Sequence, residues 1–115
     1  MRINADDTDL DVDGCVLYDG TPYTGEVEET APNGQVIAIT SYYKGFEDGP
    51  TREWYRDGTK RVEGESRFGV GAVGLWREWH PNGRLAVERG FSERGQQLYL
   101  RGWDEAGVLV EDKTY

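Results

Sequence analysis

A repeat of about 24 residues sets the strongest constraint on how this chain can fold. Turn glycines recur at Gly34, Gly58, Gly83 and Gly107, with spacings of 24, 25 and 24 residues. The segments that lead into them read GEVEETAPNG, GPTREWYRDG, GLWREWHPNG and LYLRGWDEAG. Asn-Gly and Asp-Gly between apolar runs are the strongest short hairpin signal, because both turn residues of such a hairpin need positive φ. Each unit is therefore predicted to form a β-hairpin.

The aligned columns of the repeat hold the residues that would build the sheet. The fifth column, counted from the first glycine, is Thr30 in the first unit and tryptophan in the others, at Trp54, Trp79 and Trp103. We expect these tryptophans to pack between units. Trp76 and Trp79 have a helical spacing, but the flanking glycines leave too few residues for a stable helix, so a strand is favoured. In a strand the second and fifth columns point to opposite faces, which allows one core face and one aromatic surface.

Composition supports an all-β chain. The 115 residues include 16 glycines, four tryptophans and seven tyrosines, which is typical of short aromatic-rich strands separated by glycine turns. The sequence predicts one all-β domain over residues 15–115, a single meandering antiparallel sheet of tandem β-hairpin repeats. Residues 1–14 are predicted to be an acidic N-terminal segment. The stretch CVLYDG that follows fits the second strand of an incomplete first unit.

The acidic charge is concentrated at the N-terminal end. The net charge is −9, and residues 1–30 contain nine acids and one base, whereas residues 31–115 contain 13 acids and 12 bases. Such a patch repels nucleic acid and attracts a basic protein, although acids often serve solubility alone. The predicted partner-binding residues are acids of this end and two exposed aromatics, namely Asp9, Asp11, Asp13, Asp19, Glu26, Glu28, Tyr55 and Trp76.

The stretch DLDVDG, which begins at Asp9, has the opening spacing of an EF-hand calcium loop. Counting from Asp9, however, loop position 12 is Gly20 instead of the bidentate glutamate, and neither flank reads as a helix. We therefore expect no metal site, and interpret Asp9, Asp11 and Asp13 as leading into an edge strand, where charge deters aggregation. A calcium-binding module is the alternative, and it predicts a thermal shift with calcium.

The sequence offers no constellation for catalysis or for a cofactor. His80 is the only histidine, and we expect it to be a solvent-exposed turn residue. Cys15 is the only cysteine and lies in another unit, so neither a zinc site nor a Cys–His dyad is supported. GVGAVG at residues 69–74 lacks the Lys-Ser/Thr of a phosphate loop. No enzyme and no cofactor are expected, and the lack of a secretory or membrane-spanning pattern predicts a cytoplasmic location.

The motifs YDGTPYTG, GPTREWYRDGTKRVEGESRF and GLWREWHPNGRLAVERGF resemble the MORN-variant repeat as it occurs in bacterial YwqK-like antitoxin proteins. The resemblance covers roughly residues 15–110, and Leu98 departs from it by replacing a repeat glycine. It implies stacked antiparallel hairpins with no shared catalytic residues. The implied function is that of an immunity protein that binds and blocks a toxin, often an enzyme directed at nucleic acid such as a deaminase or nuclease. A repeat scaffold for protein–protein interaction is the alternative.

Overall fold

The computed structural model describes all 115 residues, Met1–Tyr115, and is built almost entirely of strands. The only helical element is a 3₁₀ turn at Ala5–Asp7, so no helix is long and apolar enough to cross a membrane. The strands, in chain order, are β1 (Arg2–Asn4), β2 (Asp9–Leu10), β3 (Val16–Tyr18), β4 (Thr21–Pro22), β5 (Gly25–Thr30), β6 (Val36–Tyr43), β7 (Phe46–Trp54), β8 (Lys60–Arg67), β9 (Gly71–Trp79), β10 (Leu85–Phe91), β11 (Gln97–Trp103) and β12 (Leu109–Thr114).

Nine of these strands form one large sheet, in the order β1-β5-β6-β7-β8-β9-β10-β11-β12. From β5 onward each strand pairs antiparallel with the next, which confirms the predicted all-β meander of hairpins and the strand at Trp76 and Trp79. Two features go beyond the prediction: β1 joins β5 in parallel, and β2, β3 and β4 form a separate small sheet. The segment 1–14 thus supplies a strand to each sheet, and its boundary as a separate unit stays a prediction.

One turn geometry recurs six times along the chain. In each copy, the first turn residue donates its N–H to the carbonyl of the residue four positions later. The glycine three positions after that first residue donates its N–H to the carbonyl of the first residue. This is the three-residue hairpin loop in which only the last position needs a left-handed conformation. The glycines at that position all have positive φ, and they are Gly14, Gly34, Gly58, Gly83, Gly95 and Gly107.

The expectation that both residues of the Asn-Gly and Asp-Gly turns have positive φ is wrong. At the repeat turns only the glycine is left-handed, and the two-residue form occurs instead at Asp19-Gly20 and Lys44-Gly45. The physical reason is the loop length, since a three-residue loop needs a left-handed conformation only at its last position. Asn33 and Asn82 each accept the backbone N–H two residues on at 3.0 Å, a local hydrogen bond typical of turns.

The acidic DLDVDG motif is another copy of this turn. Asp11 donates its N–H to the Cys15 carbonyl, and Gly14 donates to the Asp11 carbonyl, both at 3.1 Å. The Asp11 carboxylate accepts the N–H groups of Asp13 and Cys15 at 2.9 Å. Asp9 lies in β2, an edge strand of the small sheet. The alternating acids therefore belong to a hairpin turn, and no group of three His, Cys, Asp or Glu side chains in the chain could hold a metal ion.

The hydrophobic core lies between the small sheet and the β1–β5 edge of the large sheet. Its buried members are Ile3, Val16, Tyr23 and Val27, and Tyr42 packs against them. Elsewhere the large sheet is a single layer with both faces open, so only 14 of 115 residues are buried. The three repeat tryptophans are half-buried and lie outside this core cluster.

Side chains at the turns tie each unit to the next. The Tyr55 hydroxyl donates to the Trp79 carbonyl at 2.7 Å, and His80 Nε2 lies 2.8 Å from the Trp103 carbonyl. A carbonyl can only accept, so His80 Nε2 carries a proton. The expectation that His80 is a solvent-exposed turn residue is wrong, because this hydrogen bond holds it half-buried.

Tyr55→Phe removes one of these ties without changing the ring. We expect a loss of about 0.5–1.5 kcal/mol in the free energy of unfolding, the usual contribution of one hydrogen bond. Urea unfolding measures it. Tyr115→Phe is the matched control, since Tyr115 is 67% exposed at the chain end, and it should change nothing. Equal free energies of unfolding for the two variants would contradict a stabilising role of the Tyr55 hydroxyl.

Candidate functional site

Three aromatic side chains form an exposed cluster, called here the aromatic patch, at the end of the large sheet where successive units connect. Tyr43 and Phe46 flank the Lys44-Gly45 turn, and Phe68 begins the loop between β8 and β9. The Phe68 ring centroid lies 5.6 Å from that of Tyr43 and 5.9 Å from that of Phe46. The three residues are 41%, 40% and 45% exposed. An exposed apolar cluster of this kind is a candidate interaction surface.

The position of the aromatic patch on the large sheet follows from strand alternation and from one hydrogen bond. Tyr42 packs on the hydrophobic core, so Tyr43, the next residue of β6, points to the opposite face of the sheet. The Phe68 N–H donates to the Asp48 carboxylate at 2.8 Å, which fixes the start of its loop. Lys44 Nζ lies 5.3 Å from the Tyr43 ring centroid, within cation–π range. The patch is thus a positioned surface of the fold.

The small sheet is held against the large sheet through Gly45, a contact called here the Gly45 latch. Val16 donates its N–H to the Gly45 carbonyl at 2.8 Å, and Gly45 donates to the Tyr23 carbonyl at 2.7 Å. Cys15 Sγ donates to the Lys44 carbonyl at 3.5 Å. The latch therefore joins the small sheet to the turn between β6 and β7.

Cys15 is a packing residue of this latch. Burial raises the pKa of its thiol above the ordinary value of 9.0, and the carboxylates of Asp11 and Asp13 raise it further. The thiol therefore stays protonated at neutral pH, and a protonated, buried thiol is a poor nucleophile.

A row of alternating charges, called here the charge ladder, crosses one face of the large sheet. Its members pair in register on six successive strands, and they are Arg52, Glu63, Arg77, Glu88, Arg101 and Asp112. Its closest contact joins Arg77 Nε and Glu88 Oε2 at 2.8 Å. A concavity of about 540 Å³ lies over β7, β8 and β9 beside Arg52, Glu63 and Arg77. Because three arginines alternate with three carboxylates, the charge ladder itself has no net charge.

The best-connected member of the ladder is Glu88. Its side chain is 14% exposed and accepts hydrogen bonds from Arg77 Nε and the Tyr99 hydroxyl, both at 2.8 Å. These two bonds, that from Arg77 first, hold the pKa of Glu88 below its ordinary value of 4.5. The same hydroxyl bond, with burial, raises the pKa of Tyr99.

Glu88→Gln should therefore lower the free energy of unfolding at neutral pH by about 1–3 kcal/mol, the range for hydrogen bonds to a charged group. The folded pKa is depressed, so the contribution of Glu88 is present above about pH 4.5 and is lost as the pH falls through the folded pKa. Urea unfolding as a function of pH should give a shallower acid limb for Glu88→Gln. Glu93→Gln, at an exposed turn, is the control; an acid limb equally steep in Glu88→Gln and wild type would contradict the assignment.

The structure separates the predicted binding residues into two groups. Four acids are exposed on the small sheet and its turns, at Asp9, Asp11, Asp13 and Asp19. Glu26 and Glu28 lie on β5 of the large sheet, and Glu26 Oε1 is paired to Arg2 Nη2 at 3.0 Å.

Tyr55 and Trp76 stand apart on the large sheet, and the expectation that they are exposed is wrong. Both are half-buried. Tyr55 ties two units through its hydroxyl, and the Trp76 ring lies so closely over Gly64 that a Cβ there would meet it. Each makes an internal contact that accounts for its position.

The aromatic patch was not among the sequence-predicted residues. Its signal is present in the sequence, since YYKGF and RFG place aromatics directly beside glycines that link one unit to the next. The Asn-Gly and Asp-Gly turn signals of the repeat lie at other glycines, so these linking turns do not stand out in the sequence.

Comparison with known proteins gives no match to a protein-family model, to a curated protein or to a solved structure. The resemblance to MORN-variant repeats therefore stays a prediction.

Proposed function

We propose that this chain is a non-catalytic, cytoplasmic immunity protein or antitoxin. It binds a cognate bacterial toxin and blocks its active site. The toxin is an enzyme directed at nucleic acid, such as a deaminase or nuclease, whose cleft is basic because it receives phosphates. The observation that carries the proposal is the small sheet, which exposes Asp9, Asp11, Asp13 and Asp19 and contains no base between residues 9 and 22.

The distribution of charge favours this end of the molecule as the partner-facing one. On the large sheet the charge ladder balances cations against anions, as in the pair of Arg77 and Glu88. The small sheet has no such compensation. The long-range field of the protein therefore comes mainly from the N-terminal end, residues 1–30, of whose nine acids the small sheet and its turns hold four. Such a field steers a basic partner and raises its association rate.

The shape of the molecule suits the blocking of a cleft. It measures 47 × 37 × 22 Å, and most of the large sheet is a single layer open on both faces. A stable interface covers about 800 Å² on each partner, and a broad, thin sheet offers that area without rearrangement. This supports a steric block by a rigid surface.

Affinity purification of the tagged chain from its source cells, with mass spectrometry, tests the proposal. We expect a single stoichiometric partner that arrests growth when expressed alone and is harmless when this chain is co-expressed. A bait without a partner, or with a mixture of housekeeping proteins, would favour the alternative of a repeat scaffold.

The electrostatic part is tested by replacing Asp9, Asp13 and Asp19 with asparagine. Asp11 is left intact, because its carboxylate holds the turn. At low salt we expect the association rate with the purified toxin to fall about tenfold, with little effect at high salt. The matched control replaces three exposed glutamates of the large sheet and its turns with glutamine, at Glu65, Glu93 and Glu105. Equal association rates for the two triple variants would contradict electrostatic steering by the small sheet.

A further inference from the structure

We propose that the chain forms a face-to-face dimer with a second copy of itself, through the face of the large sheet that carries the charge ladder. This face is opposite to the small sheet. Val27 of the core, Thr40 and Thr51 pair in register and so point to one side of the large sheet. Arg52 of the ladder is the next residue of β7 and points to the other side. The dimer leaves the acidic small sheet free, so this inference does not depend on the proposed function.

A second row of side chains, called here the tryptophan row, runs beside the charge ladder on the same face. Each of its tryptophans lies two residues after a ladder arginine, so both point to the same side of their strand. Each also pairs in register with the row's member on the next strand. Lys60 Nζ lies 5.4 Å from the Trp79 ring centroid, which places these two members together. From β7 to β12 the row consists of Trp54, Lys60, Trp79, Leu85, Trp103 and Leu109.

The repeat makes the charge ladder complementary to a copy of itself. Each hairpin contributes an arginine on its first strand and a carboxylate on its second, so three hairpins give six alternating charges. A two-fold axis parallel to the strands, between β9 and β10, reverses this order in the second copy. Two-fold interfaces require such self-complementarity. Every charge then faces its opposite in the second copy, in the pairs Arg77 with Glu88, Glu63 with Arg101 and Arg52 with Asp112.

The same axis places large side chains opposite smaller ones. Trp79 faces Leu85 of the second copy, and Trp54 faces Leu109. Lys60 faces the Trp103 ring, a cation–π arrangement. Side chains of unequal size can interdigitate, as they do between the two sheets of a β-sandwich about 10 Å apart.

The alternative two-fold axis, perpendicular to the strands, does not fit. It would place each ladder charge opposite its own copy, for example Arg77 against Arg77, and like charges repel across an interface. The axis parallel to the strands is therefore the one that the charge pattern selects. Packed sheets are rotated by about 30°, so the closest contacts fall at the centre, around Arg77 and Trp79.

The size of this face suits a stable dimer. The strands β7 to β12 are six to nine residues long. At about 4.8 Å between strands they cover roughly 600 Å² of flat area, of the order of the about 800 Å² that a standard interface takes from each partner. Leu75 and Leu109 on this face are 49% and 48% exposed, and only 14 of 115 residues are buried. A second copy would supply the second layer that sheets ordinarily pack against.

Sedimentation equilibrium of the full chain tests the dimer. We expect twice the chain mass of 13.0 kDa at about 100 μM, because interfaces of this size have dissociation constants in the micromolar range or below. Leu75→Glu should raise the dissociation constant at least about tenfold, since it places a charge against the second copy. Leu98→Glu is the matched control. Leu98 is 46% exposed but points to the opposite face, because the next residue, Tyr99, bonds Glu88 of the ladder.

Two charge reversals test the axis. Glu63→Arg and Arg101→Glu each place like charges opposite each other in their own dimers, and each should raise the dissociation constant at least about tenfold. In an equimolar mixture, the dimer of one variant with the other has opposite charges at both contacts. We expect it to associate about as tightly as the wild type. Any effect of a substitution on its own chain persists in the mixture, so the recovery can come only from contact between chains.

Each outcome decides the proposal. A wild-type chain that sediments as a monomer overturns the dimer. Dissociation by Leu98→Glu but not by Leu75→Glu overturns the choice of face. A mixture that associates no more tightly than either charge variant alone overturns the two-fold axis. These measurements need no toxin, so a failure here leaves the purification experiment and the proposed function untouched.

Discussion

Replacing Gly45 with alanine should detach the small sheet from the large one and expose the Cys15 thiol. Gly45 has φ +88°, a left-handed conformation that costs an L side chain about 1–2 kcal/mol. A Cβ there would collide with Cys15 Sγ and would lie 2.9 Å from the Val16 carbonyl oxygen. Overpacking of this kind adds about 1–3 kcal/mol. The collision falls on the Gly45 latch, so the two sheets must move apart.

Gly58→Ala isolates the conformational part of this cost. Gly58 has φ +91°, close to that of Gly45, yet nothing lies within 4 Å of a Cβ built on it. Urea unfolding should show Gly45→Ala to be the less stable variant by the overpacking difference, about 1–3 kcal/mol. The Cys15 thiol should react with a thiol reagent faster in Gly45→Ala than in the wild type, and Gly58→Ala should react at the wild-type rate. Equal stability and equal thiol reactivity would mean that the latch does not join the sheets tightly.

Gly64→Ala should also be strongly destabilising, for a different reason. Gly64 has no positive φ, so its backbone accepts alanine, but a Cβ would enter the Trp76 ring and lie 2.7 Å from its Cδ2 atom. The ring must leave its position over the strand, and we expect a loss of about 1–3 kcal/mol in the free energy of unfolding. The near-ultraviolet circular dichroism of the tryptophans should change with it.

Gly102→Ala is the matched control, with an effect of opposite sign. Gly102 is also a strand glycine without positive φ, and a Cβ there meets Glu111 Cβ at 3.5 Å and the Ala86 carbonyl oxygen at 3.7 Å, both ordinary contacts. Alanine then restricts the unfolded chain and should stabilise the protein by about 0.4–1 kcal/mol. If Gly64→Ala were as stable as Gly102→Ala, the close approach of Trp76 to Gly64 would not exist in solution.

The meander was predictable because its determinants are local. Glycine turns and alternating strands are read within each unit of the repeat, and antiparallel neighbours then follow from short connections. The parallel pairing of β1 with β5, in which Ile3 is opposite Val27, was not predictable. No turn signal in the sequence between these two residues indicates that their strands are neighbours. The small sheet was missed for a similar reason, because strands of two or three residues are too short to show alternation.

The candidate site was predictable only in its charge. Acids near the N-terminus stand out in any count, and the structure leaves Asp9 and Asp13 exposed. The aromatic patch depends instead on the meeting of two units, since Phe46 and Phe68 belong to different hairpins. Trp76 illustrates the converse: its spacing suggested exposure, and a cross-strand glycine that no local pattern identifies gave it a packing site. Contacts between units follow from register, which the sequence does not display.

The pairing order of the large sheet also determines how the chain can assemble during synthesis. Every strand from β6 to β12 pairs with the strand made just before it, so each hairpin can close soon after it leaves the ribosome. Only the N-terminal end must wait: β1 needs β5, and the small sheet is secured once Gly45 has emerged. The acidic surface is thus completed before the second half of the sheet is made, and a nascent chain already carries the end that we propose meets the toxin.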